Sequence, residues 1–207
     1  MSLPDIPKAD GKKSVAQLID QLSAHDNAVR EHAAREIFAL GLARVEPGVR
    51  GWLADPDLAD CFIFDLLDTG ARFPRTTVGV AVEPGRFTQI RAACGSPHLA
   101  DVPADLDAQE FEICIGGTVR LDILTTRDRD ADGAMARFLR KHGEGIQQVE
   151  LSVLNVDLAT QLLRERFGLA PVYPESRAGA DRTRVNFFLV PVQPGSKLLI
   201  ELVEEPT

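Results

Sequence analysis

The chain has 207 residues, 44% of them apolar and 26% charged, which suits a globular protein able to bury a sizeable core. Its formal net charge of −8 argues against general nucleic-acid binding and against anionic membrane surfaces. No apolar run approaches the ~20 residues that a membrane span needs. The N-terminal stretch MSLPDIPKADGKK has no apolar signal-peptide core, so the expected location is cytoplasmic. Cys61, Cys94 and Cys114 are odd in number and lack zinc-ligand spacing; they read as buried, reduced thiols.

Residues 14–70 carry a helical pattern. Val15, Leu18, Ile19 and Leu22 share one stripe, and Ala33, Ile37, Phe38 and Leu40 fall close to another. Ser14 is the expected N-cap of the first helix, a turn at 25–27 caps the second, and Gly41 is expected to end it. GVRGWLADPDLADCFIFDLLDTG then offers a helix, an Asp-Pro-Asp break and a further helix ending at Gly70. Helix pairs with short Asp/Asn turns resemble HEAT repeats over about one and a half units, fewer than the roughly three such units need to stand alone. This segment, 1–72, is therefore expected to pack against the rest of the chain, 73–207.

After residue 75 the period changes. TTVGVAVEP (76–84) reads as a buried strand and RFTQIRAACG (86–95) as a short helix. A loop over SPHLADVPADLDAQE leads to two strands, FEICIGG and TVRLDILTT, around a Gly-Gly turn. GAMARFLRKHG is a connecting helix. The order then recurs: strand QQVELSVLN, helix VDLATQLLRERFG, loop PVYPESRAGADR, and a hairpin of TRVNFFLVPV and KLLIELVEE around QPGS. Strand, helix, loop and hairpin, twice over, is a duplicated architecture whose curved half-sheets enclose a cleft. At the start of the second half, paired amides Gln147 and Gln148 open a strand. Neighbouring strand residues point to opposite faces, so one amide must face inward and needs a partner there.

KHGEGIQQVELSVLNVDLATQLLRERFG, RVNFFLV and LLIELVE resemble the vicinal oxygen chelate superfamily, and most of all its methylmalonyl-CoA epimerases; the resemblance covers roughly 74–205. It implies an α+β fold of two tandem βαβββ modules (~76–126 and ~146–205) behind a helical, HEAT-like N-terminal segment. It also implies a homodimer or a pairing of modules within one chain. The family's metal site takes a residue from the first and the last strand of each module. Those positions hold Thr77 and Asp122 in the first half, and Gln148 and Glu201 in the second. The family commonly has histidine where this chain has Thr77 and Gln148; the epimerases have GIHH at GIQQ.

Zinc favours nitrogen or sulfur donors, whereas two carboxylates and an amide oxygen suit Mg²⁺, Mn²⁺ or Ca²⁺. Without a metal, two acids facing one cleft repel and raise at least one pKa, which is also how a general acid or base is made. The expected catalytic residues are Glu201 and Asp122, and the expected partner is a small molecule in the cleft. Three functions stay open: a metal-dependent isomerase or lyase, a metal-free small-molecule binder, and an interaction module using the N-terminal helices. His25, His32, His98 and His142 read as solvated, with His142 nearest a cleft rim; Arg182 and Arg184 read as solvent-facing strand charges, with contact to an anionic substrate as the alternative. RDRDADG (127–133) reads as a solvated connector. No nucleotide-binding, zinc-protease or serine-hydrolase motif is present.

Overall fold

The computed structural model describes residues 13–67, 70–193 and 196–206. The N-terminal stretch read for a signal peptide lies almost wholly outside the described residues, as does the centre of the last hairpin turn. Helix α1 (Val15–Leu22) begins where expected. Ser14 accepts from the backbone of Gln17, whose side chain answers with a bond to the Ser14 N–H. Asp26 caps helix α2 (Asn27–Trp52) by accepting from the Ala28 N–H.

Two expectations fail here. First, α2 does not end at Gly41 but runs for 26 residues through Gly41 and Pro47. Gly41 serves a close approach instead: a Cβ there would sit 2.5 Å from Cγ2 of Val78. Second, the helix expected to end at Gly70 shrinks to the single turn α3 (Pro56–Ala59). Strand β1 (Phe64–Leu66) follows, paired antiparallel with β2 (Arg72–Pro74). Tertiary pairing overrides the helical pattern. Phe62 bridges Val153, and Ile63 N–H bonds the carbonyl of Ser152, so the main sheet draws this segment into extended backbone. Of the expected second round, residues 48–52 continue α2, and among the described residues only the single turn α3 follows.

The remaining strands are β3 (Thr76–Ala81), β4 (Ala108–Ile115), β5 (Val119–Thr126), β6 (Gly145–Val153), β7 (Arg177–Ala178), β8 (Arg184–Gln193) and β9 (Ser196–Glu204). They form one curled seven-stranded sheet in the order β4-β5-β3-β6-β9-β8-β7. Helix α4 (Pro84–Ala93) follows β3, α5 (Ala134–His142) joins the two halves, and α6 (Val156–Phe167) follows β6. The halves meet where β3 and β6 pair antiparallel, and within each half the first and last strands run parallel. The second half holds four strands. The first holds three, because residues 97–107 form a loop with one tight turn at Ala104–Leu106 rather than a strand. Gly116 and Gly117, both at positive φ, make the tight β4–β5 turn that the sequence announced.

One face of the sheet is packed and the other is open. Val78, Val80, Leu121, Ile123, Val149, Leu151, Ile200 and Leu202 join α1, α2, α4 and α6 in one hydrophobic cluster through Leu18, Ile19, Ile37, Val49, Ile90 and Leu163. The N-terminal helices thus share the sheet's core. Among the described residues no helix is long and apolar enough to cross a membrane.

Candidate functional site

Strand register lines up the residues of the open face. One row runs Glu112–Asp122–Gly79–Gln148–Leu199 across β4, β5, β3, β6 and β9. The next runs Thr77–Glu150–Glu201–Phe187 across β3, β6, β9 and β8. Like charges directly opposite one another on neighbouring strands are destabilising. Here Glu112 faces Asp122 and Glu150 faces Glu201. All of these residues except Gly79 line one cleft of about 810 Å³, together with Glu110.

The paired amides find their explanation in a β-bulge. The register between β3 and β6 slips between Gly79 and Val80, which oppose Gln148 and Ile146. Ile146 and Val149 both belong to the core, so two residues lie between successive core positions instead of one. Gln147 and Gln148 both line the cleft, where strict alternation allowed only one. Gln148 is 8% exposed and donates from Nε2 to Glu201 Oε2 at 2.6 Å and to Glu150 Oε1 at 3.0 Å. Gly79 makes its room, since a Cβ there would meet Gln148 Cγ at 2.5 Å. Gln147 Oε1 is buried and has no hydrogen-bond partner.

Burial dominates the electrostatics. It pushes the carboxyls of Asp122 and Glu201 well above the ordinary range, with neighbouring carboxylates adding to the effect. Burial likewise raises Glu150 to about 8 and, with the charge of Asp181 adding, Glu110 to about 7. Glu112 rises by desolvation, moderated by Arg120. Those arginines are held elsewhere: Asp65 takes Arg120 at 2.6 Å and Arg75 at 3.3 Å.

Two loops, one from each half, meet at the rim. The Asp101 N–H donates to Asp181 Oδ1 at 2.8 Å, and the Asp181 N–H returns a bond to the Asp101 carbonyl at 3.1 Å. Arg177 pairs with Asp105 and stacks 4.9 Å over Tyr173. Tyr173 meets Phe187 edge-on at 6.0 Å, giving the cleft an aromatic wall.

All four positions read from the sequence, Thr77, Asp122, Gln148 and Glu201, come together in this cleft. The reading missed Glu110, Glu112 and Glu150. The signal was present: Glu110 and Glu112 are two apart on one strand and share a face with each other, and Glu150 is two beyond Gln148 and shares its face. The four histidines are exposed; His98 reaches the cleft rim, and His142 lies against Phe138 instead. Arg184 is indeed half-exposed and pairs with Asp157 and Glu204. Of the thiols, Cys61 is buried, Cys94 is intermediate, and Cys114 is exposed, which corrects the reading of all three as buried. Among the described residues no three His, Cys, Asp or Glu side chains converge as a metal site. A cation here would rest on two carboxylates supplemented by Gln148 and Thr77.

A curled sheet with this symmetry, helices outside and a polar cleft inside, is the glyoxalase-like fold of the vicinal oxygen chelate superfamily. Among solved structures the chain is similar to methylmalonyl-CoA epimerase from Mycobacterium tuberculosis, at 29% identity and a TM-score of 0.52, over 63% of this chain and 87% of that one. A Streptomyces coelicolor methylmalonyl-CoA epimerase variant in complex with 2-nitronate-propionyl-CoA shares 24% identity, covering 63% and 93%, with a TM-score of 0.52. A hypothetical protein from Bacillus halodurans C-125 shares 20%, covering 63% and 93%, also at 0.52. The last two are likenesses of fold alone. No protein-family model matches the chain, and no curated protein matches it.

Proposed function

We propose that the protein is a small-molecule enzyme that moves a proton at a carbon next to a carbonyl, with Glu201 as the base and Asp122 as its partner. The carrying observation is one carboxyl from each half, the buried Glu201 and the half-buried Asp122, facing a single cleft. Desolvation and neighbouring charge hold both well above the ordinary carboxyl range, which strengthens each as a proton acceptor toward a weak carbon acid. One carboxyl takes a proton while the other supplies one. Gln148 fixes Glu201 by its 2.6 Å bond, so the base is already oriented before a ligand arrives. The likeness to epimerases supports this reaction class.

The donor set of Thr77, Asp122, Gln148 and Glu201 offers oxygen only, which fits Mg²⁺, Mn²⁺ or Ca²⁺ and does not fit zinc. Gln148 would turn its oxygen, and Thr77 its hydroxyl, toward such an ion. When bound, a hard cation would polarise the substrate carbonyl. One observation favours a second reading, metal-free binding of a small molecule: Gln148 Nε2 already bridges Glu150 and Glu201, the contacts that would otherwise call for a cation.

The test is solvent-deuterium exchange at the α-carbon across anionic, neutral and cationic carbonyl compounds, with Mn²⁺ present and absent. Wild-type protein is expected to exchange at least one compound and Glu201→Gln to lose it. Exchange that survives Glu201→Gln, or none with any compound, refutes the assignment.

A further inference from the structure

The epimerase complex named above holds a coenzyme A derivative, yet this cleft is built of acceptors. Glu110, Glu112, Asp122, Glu150 and Glu201 line it, and Asp181 and Glu205 stand at its rim. Against them the lining offers Arg137, which is exposed and bonded to Asp132, and the exposed His98. The nearby Arg177, Arg120 and Arg75 are tied to Asp105 and Asp65. The second observation is independent of charge: Gln147 Oε1 is buried in the lining with no donor to meet it. A buried unpaired acceptor is costly, and the residue is kept at this position by the bulge. Phe187, beside the Tyr173 ring on which Arg177 stacks, adds an aromatic surface to the cleft that a cation can meet. At about 810 Å³ the space is far larger than a metal ion requires.

We propose that the cleft takes an amine-bearing organic cation, whose N–H groups satisfy Gln147 Oε1 and the Glu110–Glu112–Glu150 wall. Resting on the function proposed above, it names the substrate class: a carbonyl compound carrying an ammonium group. An anionic acyl thioester is disfavoured, because the lining gives it only the exposed Arg137 and His98 as cationic partners, and its charges would oppose those of Glu110 and Glu150 once these ionise.

Calorimetric titration of the full chain at pH 8.5, where Glu110 and Glu150 ionise, with spermidine and with coenzyme A tests this. Spermidine is expected to bind saturably and to weaken at least tenfold in Glu110→Gln/Glu150→Gln, while coenzyme A gives no saturable heat. A control, Glu36→Gln/Glu165→Gln, changes exposed acids on α2 and α6 outside the cleft and is expected to leave binding unchanged. The same titration on Glu201→Gln separates the two proposals, since spermidine should still bind where deuterium exchange is lost. Exchange on a neutral or anionic compound without spermidine binding overturns the substrate class and leaves the proton-transfer reading standing. Coenzyme A binding at spermidine's affinity, an unweakened double variant, or equal weakening in the control overturns it as well.

Discussion

Replacing Glu150 by glutamine keeps the shape and the acceptor for Gln148 and removes one charge from the cleft. Glu150 has an ordinary value of 4.5 and sits at about 8 in the fold, because it is buried among other carboxylates. Its proton affinity is raised by folding, so the stabilisation it provides is full below pH 4.5 and is lost as pH rises through about 8. At ~1.4 kcal/mol for each tenfold change, the loss is on the order of 5 kcal/mol by pH 9. In wild type Asp122 and Glu201 hold their protons longer once Glu150 ionises, which relieves part of the repulsion and trims the gain from substitution to roughly 2–5 kcal/mol. That is a large share of the 5–15 kcal/mol that holds a typical domain together. Urea unfolding in chelator at pH 5 and pH 9 measures it. Glu150→Gln should match wild type within about 1 kcal/mol at pH 5 and exceed it by roughly 2–5 kcal/mol at pH 9. Parallel profiles, or a variant less stable at pH 9, would refute the claim that Glu150 is held as a buried acid.

Gly41→Ala drives a methyl into Val78, and the ~1 kcal/mol of helix propensity gained does not offset an overpacking loss of about 1–3 kcal/mol, so its thermal midpoint should fall. Gly79→Ala displaces the flexible Gln148 side chain as well as Leu124, with a loss of about 1–3 kcal/mol expected in urea unfolding. An amide signal of Gln148 that is shifted in NMR spectra of Gly79→Ala would show that its bonds to Glu150 and Glu201 are broken. Asp65→Ala leaves Arg120, 16% exposed, without its 2.6 Å partner; the expected loss is on the order of 3 kcal/mol, and a change below ~1 kcal/mol would mean the pair is solvated.

Much of the architecture was legible because it is written in local chemistry. Ser14 with Gln17 marks a helix start, Gly116-Gly117 a hairpin, and the recurrence of strand, helix and hairpin a duplicated sheet. What the pattern hid is what tertiary contact decides. Gly41 looks like a helix stop, and only the nearness of Val78 shows it to be a packing notch. Residues 60–67 read as helix because their extended conformation comes from Ser152 and Val153, about ninety positions away in the chain. At the site, Thr77, Asp122, Gln148 and Glu201 were reached through the family resemblance, which points to one position on the first and last strand of each module. The second amide was not, since a bulge changes which face Gln147 takes and leaves no trace in alternation. Glu110, Glu112 and Glu150 followed the period-two rule and were overlooked among ordinary strand charges.

The account rests most directly on Glu201 as the base and Asp122 as its partner in one cleft. Uptake of deuterium at the α-carbon of a small carbonyl compound, followed by NMR in wild type, Glu201→Gln and Asp122→Asn, tests it. The account predicts exchange in wild type, its loss in Glu201→Gln and a strong reduction in Asp122→Asn. Exchange that persists in both variants would contradict it.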